Sequence, residues 1–194
     1  MLSLSRIAVA ILAIILSACA SGLDTPVALE TKTRDDAFLP YVAIAGKTIK
    51  VNSFSDSIAS SERLLLTLLA RRDRKTGVLT THAKIEISYT GLTHRRYGLA
   101  RNDRGEQLAM SQLNIGGNTC RKDPYCIHHE DFLVDLPEPD VRAAQDKGYA
   151  FKVFTKAGAE LYFPVPQQLI KALFAAADAQ GGAKAAAAGL PEVR

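Results

Sequence analysis

The chain predicts a mainly β fold, an antiparallel β-sheet or sandwich with a short inserted helix and a C-terminal amphipathic helix. Three observations predict it. Residues 78–90 alternate, with Ile85, Ile87 and Tyr89 on one face and Lys84, Glu86 and Ser88 on the other. That is the period-2 pattern of a half-buried strand. Turn chemistry separates the apolar runs at Asp73-Arg74-Lys75-Thr76-Gly77, Asn102-Asp103-Arg104-Gly105 and Lys156-Ala157-Gly158, as in successive hairpins. The strands are not interleaved with helices, as a parallel α/β fold would require, and no internal repeat is present.

Residues 41–51 alternate loosely around Gly46 and predict one or two short strands, and the Ser-rich stretch 53–61 predicts a loop. Residues 62–72 carry Leu64, Leu65, Leu66, Leu68 and Leu69. By propensity they suit a helix capped by Ser60 or Ser61, and equally a strand buried on both faces. The hairpin loop that follows favours the strand. Further strands are predicted over 94–100, over 107–115 with a break at Gly116-Gly117-Asn118, and over 127–136 with Phe132, Val134 and Leu136 on one face. A short helix over 137–147 has proline near its start and Gly148 past its end. Strands at 149–155 and 161–163 follow, the second ended by Pro164 and Pro166. Leu169, Ile170, Leu173, Phe174 and Ala177 form one stripe of a helix over 167–179. Gly181-Gly182 is expected to stop it, leaving 181–194 as a disordered tail or frayed helix. The sum is about eight strands.

The first residues read differently. Arg6 is the only charge among the first twenty residues, and residues 7–16 are an unbroken apolar run. That run suits a secretory signal and is too short for a hydrocarbon core, which needs roughly 20 residues. Extended through Ala18 and Ala20, it leaves an uncleaved anchor as the alternative. Leu16-Ser17-Ala18-Cys19 resembles the bacterial lipobox, an aliphatic residue and two small residues before a cysteine. The resemblance covers the leader alone. It implies a bacterial lipoprotein, cut before Cys19, with a diacylglycerol on that cysteine and a further acyl chain on its amino group. Each buried CH₂ contributes about 0.8 kcal/mol, so two or three chains hold where one would not. Ala20 stands where an aspartate would signal inner-membrane retention. The resemblance therefore favours the cell envelope, at the outer membrane facing the periplasm. The expected organisation is a signal peptide over 1–18, a lipid anchor and tether over 19–37, a β-rich periplasmic domain over 38–180 and the tail. A flexible tether of this length reaches roughly 20 to 25 Å.

If the lipid takes Cys19, Cys120 and Cys126 remain of the three cysteines. In an oxidising compartment such a pair reads as a disulfide, and Asp123-Pro124 between them provides a turn. Metal binding and redox chemistry are the alternatives, although five intervening residues do not make a C-x-x-C motif. Without the leader, 23 of the 24 basic residues remain against 20 acidic ones, a formal net charge of +3. This fits weak attraction to anionic surfaces. No nucleic-acid motif accompanies it, so nucleic acid is not an expected partner. The mature part also resembles uncharacterised periplasmic lipoproteins that share a short cysteine loop, a following strand with a glutamate and a late hairpin ending in proline. Here these are Cys120 to Cys126, Glu130 and residues 149–164.

The best candidates for chemistry are His128, His129, Glu130 and neighbouring Asp131, since imidazole and carboxylate serve as metal ligands and acid–base groups. On a strand, His128 and Glu130 share one face and His129 and Asp131 the other. A third ligand would have to come from His82 or His94. The bland alternative is a solvated strand edge. Arg71, Arg72, Arg74 and Lys75 are the densest basic run. They suggest a patch for lipid headgroups or an acidic partner, against ordinary solvated turns. No G-x-S-x-G, supported S-x-x-K or H-E-x-x-H motif occurs. The expectation is a non-enzymatic binding or structural module, held to the membrane through Cys19, with a periplasmic protein partner and no cofactor. The alternatives are a metal-assisted hydrolase using His128 or His129, and a lipid or lipopolysaccharide carrier with an apolar cavity.

Overall fold

The computed structural model describes residues 30–51, 62–120 and 126–188. The leader, Cys19 and the 53–61 loop lie outside them. Among the described residues, eleven strands form two antiparallel sheets. The larger sheet contains β1 (Lys32–Arg34), β2 (Tyr41–Ala45), β3 (Ile49–Val51), β4 (Arg63–Asp73), β5 (Leu79–Gly91), β8 (Met110–Cys120) and β9 (Cys126–Leu136). Its order is β1-β2-β4-β5-β9-β8, with β3 beside β4 beyond the end of β2. The smaller sheet has the order β11-β10-β6-β7, from β6 (Tyr97–Asn102), β7 (Gln107–Leu108), β10 (Tyr149–Thr155) and β11 (Glu160–Val165). The chain passes from β7 in one sheet to β8 in the other across Ala109.

Residues 62–72 resolve as strand because β4 is flanked on both sides. Leu64, Leu66, Leu68 and Ala70 point into the core beside Ala83, Ile85, Ile87 and Tyr89 of β5. The β4–β5 turn forms as expected. Asp73 Oδ1 accepts the backbone N–H groups of Lys75 and Thr76, and Gly77 takes a φ of 72°, a value that glycine adopts without a Cβ penalty.

Two layers cover the inner face of the larger sheet. The smaller sheet covers it at β8 and β9, where the rings of Tyr97 and Phe132 lie 5.6 Å apart. The C-terminal helix, α2 (Gln167–Ala188), covers β2 and β4. Its predicted stripe of Leu169, Ile170, Leu173, Phe174 and Ala177 is fully buried. The short helix α1 (Glu138–Ala143) is tied to α2, with the Arg142 guanidinium 4.2 Å from the Phe174 ring centroid and 3.0 Å from Asp178. No helix among the described residues is long and apolar enough to cross a membrane.

Several boundaries differ from expectation, each for a physical reason. Within the stretch expected as a tether over 19–37, Lys32–Arg34 is a strand paired with β2, and residues 19–29 lie outside the described residues; all three residues of that strand are exposed, so no apolar period marks it. Gly116-Gly117-Asn118 does not end its strand. The ladder shifts register between Gly116 and Thr119 and resumes, a bulge of the kind glycine accommodates. Residues 94–96 are not strand. Pro164 sits inside β11, an edge strand, where a missing N–H costs no ladder bond. Helix α2 runs through Gly181-Gly182 to Ala188. A Cβ at Gly181 would come within 3.3 Å of the Arg72 guanidinium carbon; the glycine allows close approach there and does not break the helix.

Candidate functional site

Strand β9 brings the candidate residues to the middle of the molecule. It lies between β5 and β8, so the solvated edge expected for His128-His129-Glu130-Asp131 is not what forms. The alternation does hold. His128 and Glu130 are buried on the inner face, while His129 and Asp131 lie on the outer face.

Glu130 is fully buried and saturated with donors. Its Oε1 accepts from Tyr89 Oη at 2.5 Å, from the backbone N–H of Arg95 at 2.9 Å and from that of Arg96 at 3.1 Å. Oε2 accepts the Tyr97 N–H at 3.4 Å. Three successive N–H groups can converge because Arg96 adopts a left-handed φ of 56°. Such a turn forms a concave anion site, and here the protein's own carboxylate fills it. This explains why residues 94–96 leave the strand. The Arg95 guanidinium lies 4.2 Å from the Tyr89 ring centroid and pairs with Glu62. Burial, with the hydrogen bond to Glu130, holds the Tyr89 hydroxyl pKa well above its ordinary value. Burial pushes Tyr97 up to about 12. Burial also raises Glu62, against the pull of Arg95.

His94 meets His128 in an edge-to-face contact, ring centroids 4.4 Å apart. His128 Nε2 lies 3.0 Å from the Gly91 carbonyl. A carbonyl only accepts, so Nε2 is the donor in this contact. The Nδ1 atoms of both histidines are buried without a partner. The other possible third ligand, His82, faces outward to Asp135 at 2.8 Å. His128 and His129 point to opposite faces, so one ion cannot take both. Among the described residues no group of three or more His, Cys, Asp or Glu is placed to hold a metal.

The outer face holds a shallow 360 Å³ hollow lined by Arg63, Glu86, Ser88, Asn114, His129 and Asp131. Ser88 Oγ lies 2.7 Å from His129 Nδ1. Burial and the neighbouring Glu86 raise the Asp131 pKa. Sequence reading missed Ser88, because the 88↔129 pairing depends on the register of two distant strands.

The basic run does not gather into one solvated patch. Arg71 lies over the Tyr41 ring, Arg72 donates to the Gly77 and Ala177 carbonyls, and Arg74 donates to the Leu39 and Asp36 carbonyls and pairs with Asp35. Lys75 is exposed. Cys120 and Cys126 are direct cross-strand partners. Such partners have Cα atoms about 4.5 to 5.5 Å apart, within the range a disulfide spans. The carrier alternative asks for an apolar cavity between the sheets; Phe132, Phe151 and Phe163 fill that region, all essentially unexposed. Compared with protein-family profiles, with curated proteins and with solved structures, the chain matches none.

Proposed function

We propose that this chain is a lipid-anchored protein of the bacterial cell envelope whose β domain binds a periplasmic protein partner and performs no chemistry of its own. The supporting observation is an edge of the larger sheet that no other strand pairs among the described residues. Strand β8 ends the sheet and contains no Asp, Glu, Lys or Arg over Met110–Cys120. Residues 111–115 are exposed, with Leu113 49% and Ile115 47% accessible. The opposite edge, β1, is three residues long and carries Lys32 and Arg34. Sheet edges are commonly guarded by shortness and charge. β1 has both guards and β8 has neither. An extended segment of a partner would add its backbone to β8 and cover the two side chains. Register shifts at Leu113 and between Gly116 and Thr119 interrupt the strand. A symmetric pairing of two copies would have to align both sets of bulges, which favours a different chain as partner.

The leader supports the location, with Cys19 as the lipidated residue. A Cys120–Cys126 disulfide would close the end of the β8–β9 hairpin and stiffen that edge. Closing so short a loop is worth about 2 kcal/mol. Photo-crosslinkers at positions 113 and 115 in the native membrane should capture one defined protein, and a crosslinker at Thr33 on β1 should not. Capture of a second copy only, or of nothing at 113 and 115, would overturn the reading. Cys19→Ser should abolish acyl labelling and processing; normal maturation would refute the anchor.

A further inference from the structure

Phe38 is the most exposed large apolar side chain among the described residues, 97% accessible. It does not sit on a slack segment. Asp36 Oδ1 accepts the Phe38 backbone N–H at 3.0 Å, and the Asp36 carbonyl accepts that of Leu39 at 3.0 Å. Arg74, from the β4–β5 turn, donates through its side chain to the carbonyls of Leu39 and Asp36 at 2.9 Å each. The Arg74 backbone N–H donates to the Pro40 carbonyl, also at 2.9 Å. The 35–40 loop and the 73–78 turn are thus fastened together at one end of the larger sheet, where Tyr41 pairs with Asp73. Leaving a phenylalanine ring in water forgoes roughly ten- to a hundredfold in a burial equilibrium. A braced loop that holds such a ring outward is built to insert it into something apolar.

Three observations say what takes the ring. The first is where the chain enters. Lys32 of β1 lies opposite Ala45, which is level with Leu69 of β4 and His82 of β5. From that level the Phe38 end, at Asp73, is four residues away, about 13 Å. The other end, at Gly91, is nine residues away, about 30 Å. The eleven residues 19–29 span at most about 36 to 40 Å. A membrane that holds Cys19 therefore meets the Phe38 end first. The second observation is that the ring stands alone. Val78 is the other exposed large apolar residue of this end, whereas a stable protein interface takes about 800 Å² from each partner. Lipid closes around a single ring without needing a matching face. The third is charge. Residues 30–41 and 71–78 hold six Lys or Arg against four Asp or Glu, so anionic headgroups are not repelled.

We infer that the 35–40 loop docks on the phospholipid surface of the membrane that carries the anchor, with the Phe38 ring at the boundary of headgroups and acyl chains. The inference rests on the lipid-anchored reading. One ring is too little to bind a membrane from solution, but a domain already tethered needs only that much to take a fixed orientation. Docked by this end, the domain holds Ile115 of β8 away from the bilayer. Ile115 is level with Ile87, eight residues along β5 from Leu79, or about 25 Å.

The chain contains no Trp, so a single introduced Trp reports its own surroundings. Phe38→Trp and, at the opposite end, Leu92→Trp are made in the full chain. Each is purified from membranes and reconstituted into vesicles of phosphatidylethanolamine and phosphatidylglycerol, with or without a phospholipid brominated near the top of its acyl chains. Both positions are exposed, so neither change should move the urea midpoint. Brominated lipid should quench Trp at 38 roughly twofold or more and leave Trp at 92 bright. Acyl labelling and flotation with the vesicles report the anchor separately. A chain that is labelled and floats while Trp at 38 stays unquenched overturns the docking and leaves the anchor standing. A chain that is neither labelled nor floated overturns the anchor, and the docking with it. Equal quenching at 38 and 92 overturns the orientation. A blue-shifted but unquenched Trp at 38 would show contact with a second copy instead, and would also overturn the inference.

Discussion

His128 and His129 are neighbours in the chain and occupy unlike surroundings, as do Glu130 and Asp131. The inner pair sits in a dry, saturated network in which Tyr89 and the backbone of residues 95–97 converge on one carboxylate. The outer pair lines a shallow hollow open to water. A strand with a period of two gives adjacent residues opposite solvents. The same residue types therefore do different work: Glu130 fastens the 92–97 segment to the sheet, and Asp131 shapes a surface.

That contrast can be broken from the inside first. Glu130→Ala strands several buried donors at once and should cost about 3 to 5 kcal/mol in urea unfolding; a loss below 1 kcal/mol would show that the network does not hold the fold. Tyr89→Phe removes one donor to Glu130 and one acceptor for the Arg95 N–H. It should cost about 1 to 2 kcal/mol by the same measurement. Arg96→Gly tests the turn itself. A left-handed φ is unfavourable for arginine and not for glycine, so this variant should gain up to about 1 kcal/mol. A clear destabilisation would mean that the Arg96 side chain contributes more than its backbone conformation costs.

The outer face should respond least, and mainly to pH. The folded pKa of Asp131 is raised by burial and by Glu86, so the folded chain binds that proton more tightly than the unfolded chain. Its contribution to stability is then most favourable below the ordinary aspartate value of 3.8 and declines as pH rises through the raised folded value. Asp131→Asn should flatten that decline and gain less than about 0.5 kcal/mol at neutral pH, because solvent screens the site. His129→Ala, on the same face, should stay within about 0.5 kcal/mol of the parent. Unfolding curves across pH 3 to 7 would show both, and a large loss in either variant would erase the distinction between the faces.

Much of this architecture was legible from local pattern. The β5 alternation, the Asp73–Gly77 turn, the 149–155 strand and the apolar stripe of α2 all depend on residues near one another in sequence, and all form. The misread boundaries share a different cause. Lys32–Arg34 becomes a strand only because β2 offers an edge, and Gly181 stays helical where Arg72, more than a hundred residues earlier, lies against it. Pro164 is tolerated because β11 is an edge strand.

By itself the sequence determined the β class, the hairpin punctuation, and the assignment of His128 and Glu130 to one face and His129 and Asp131 to the other. Those follow from backbone geometry that repeats every two residues and from turn residues with fixed φ preferences. Only the tertiary structure decided which face is dry, that Glu130 meets Tyr89 and three backbone N–H groups, that Ser88 meets His129, and that β8 is left as an uncharged edge. Those depend on strand order and on which layer covers which part of the sheet, and distant segments set both through the burial they share.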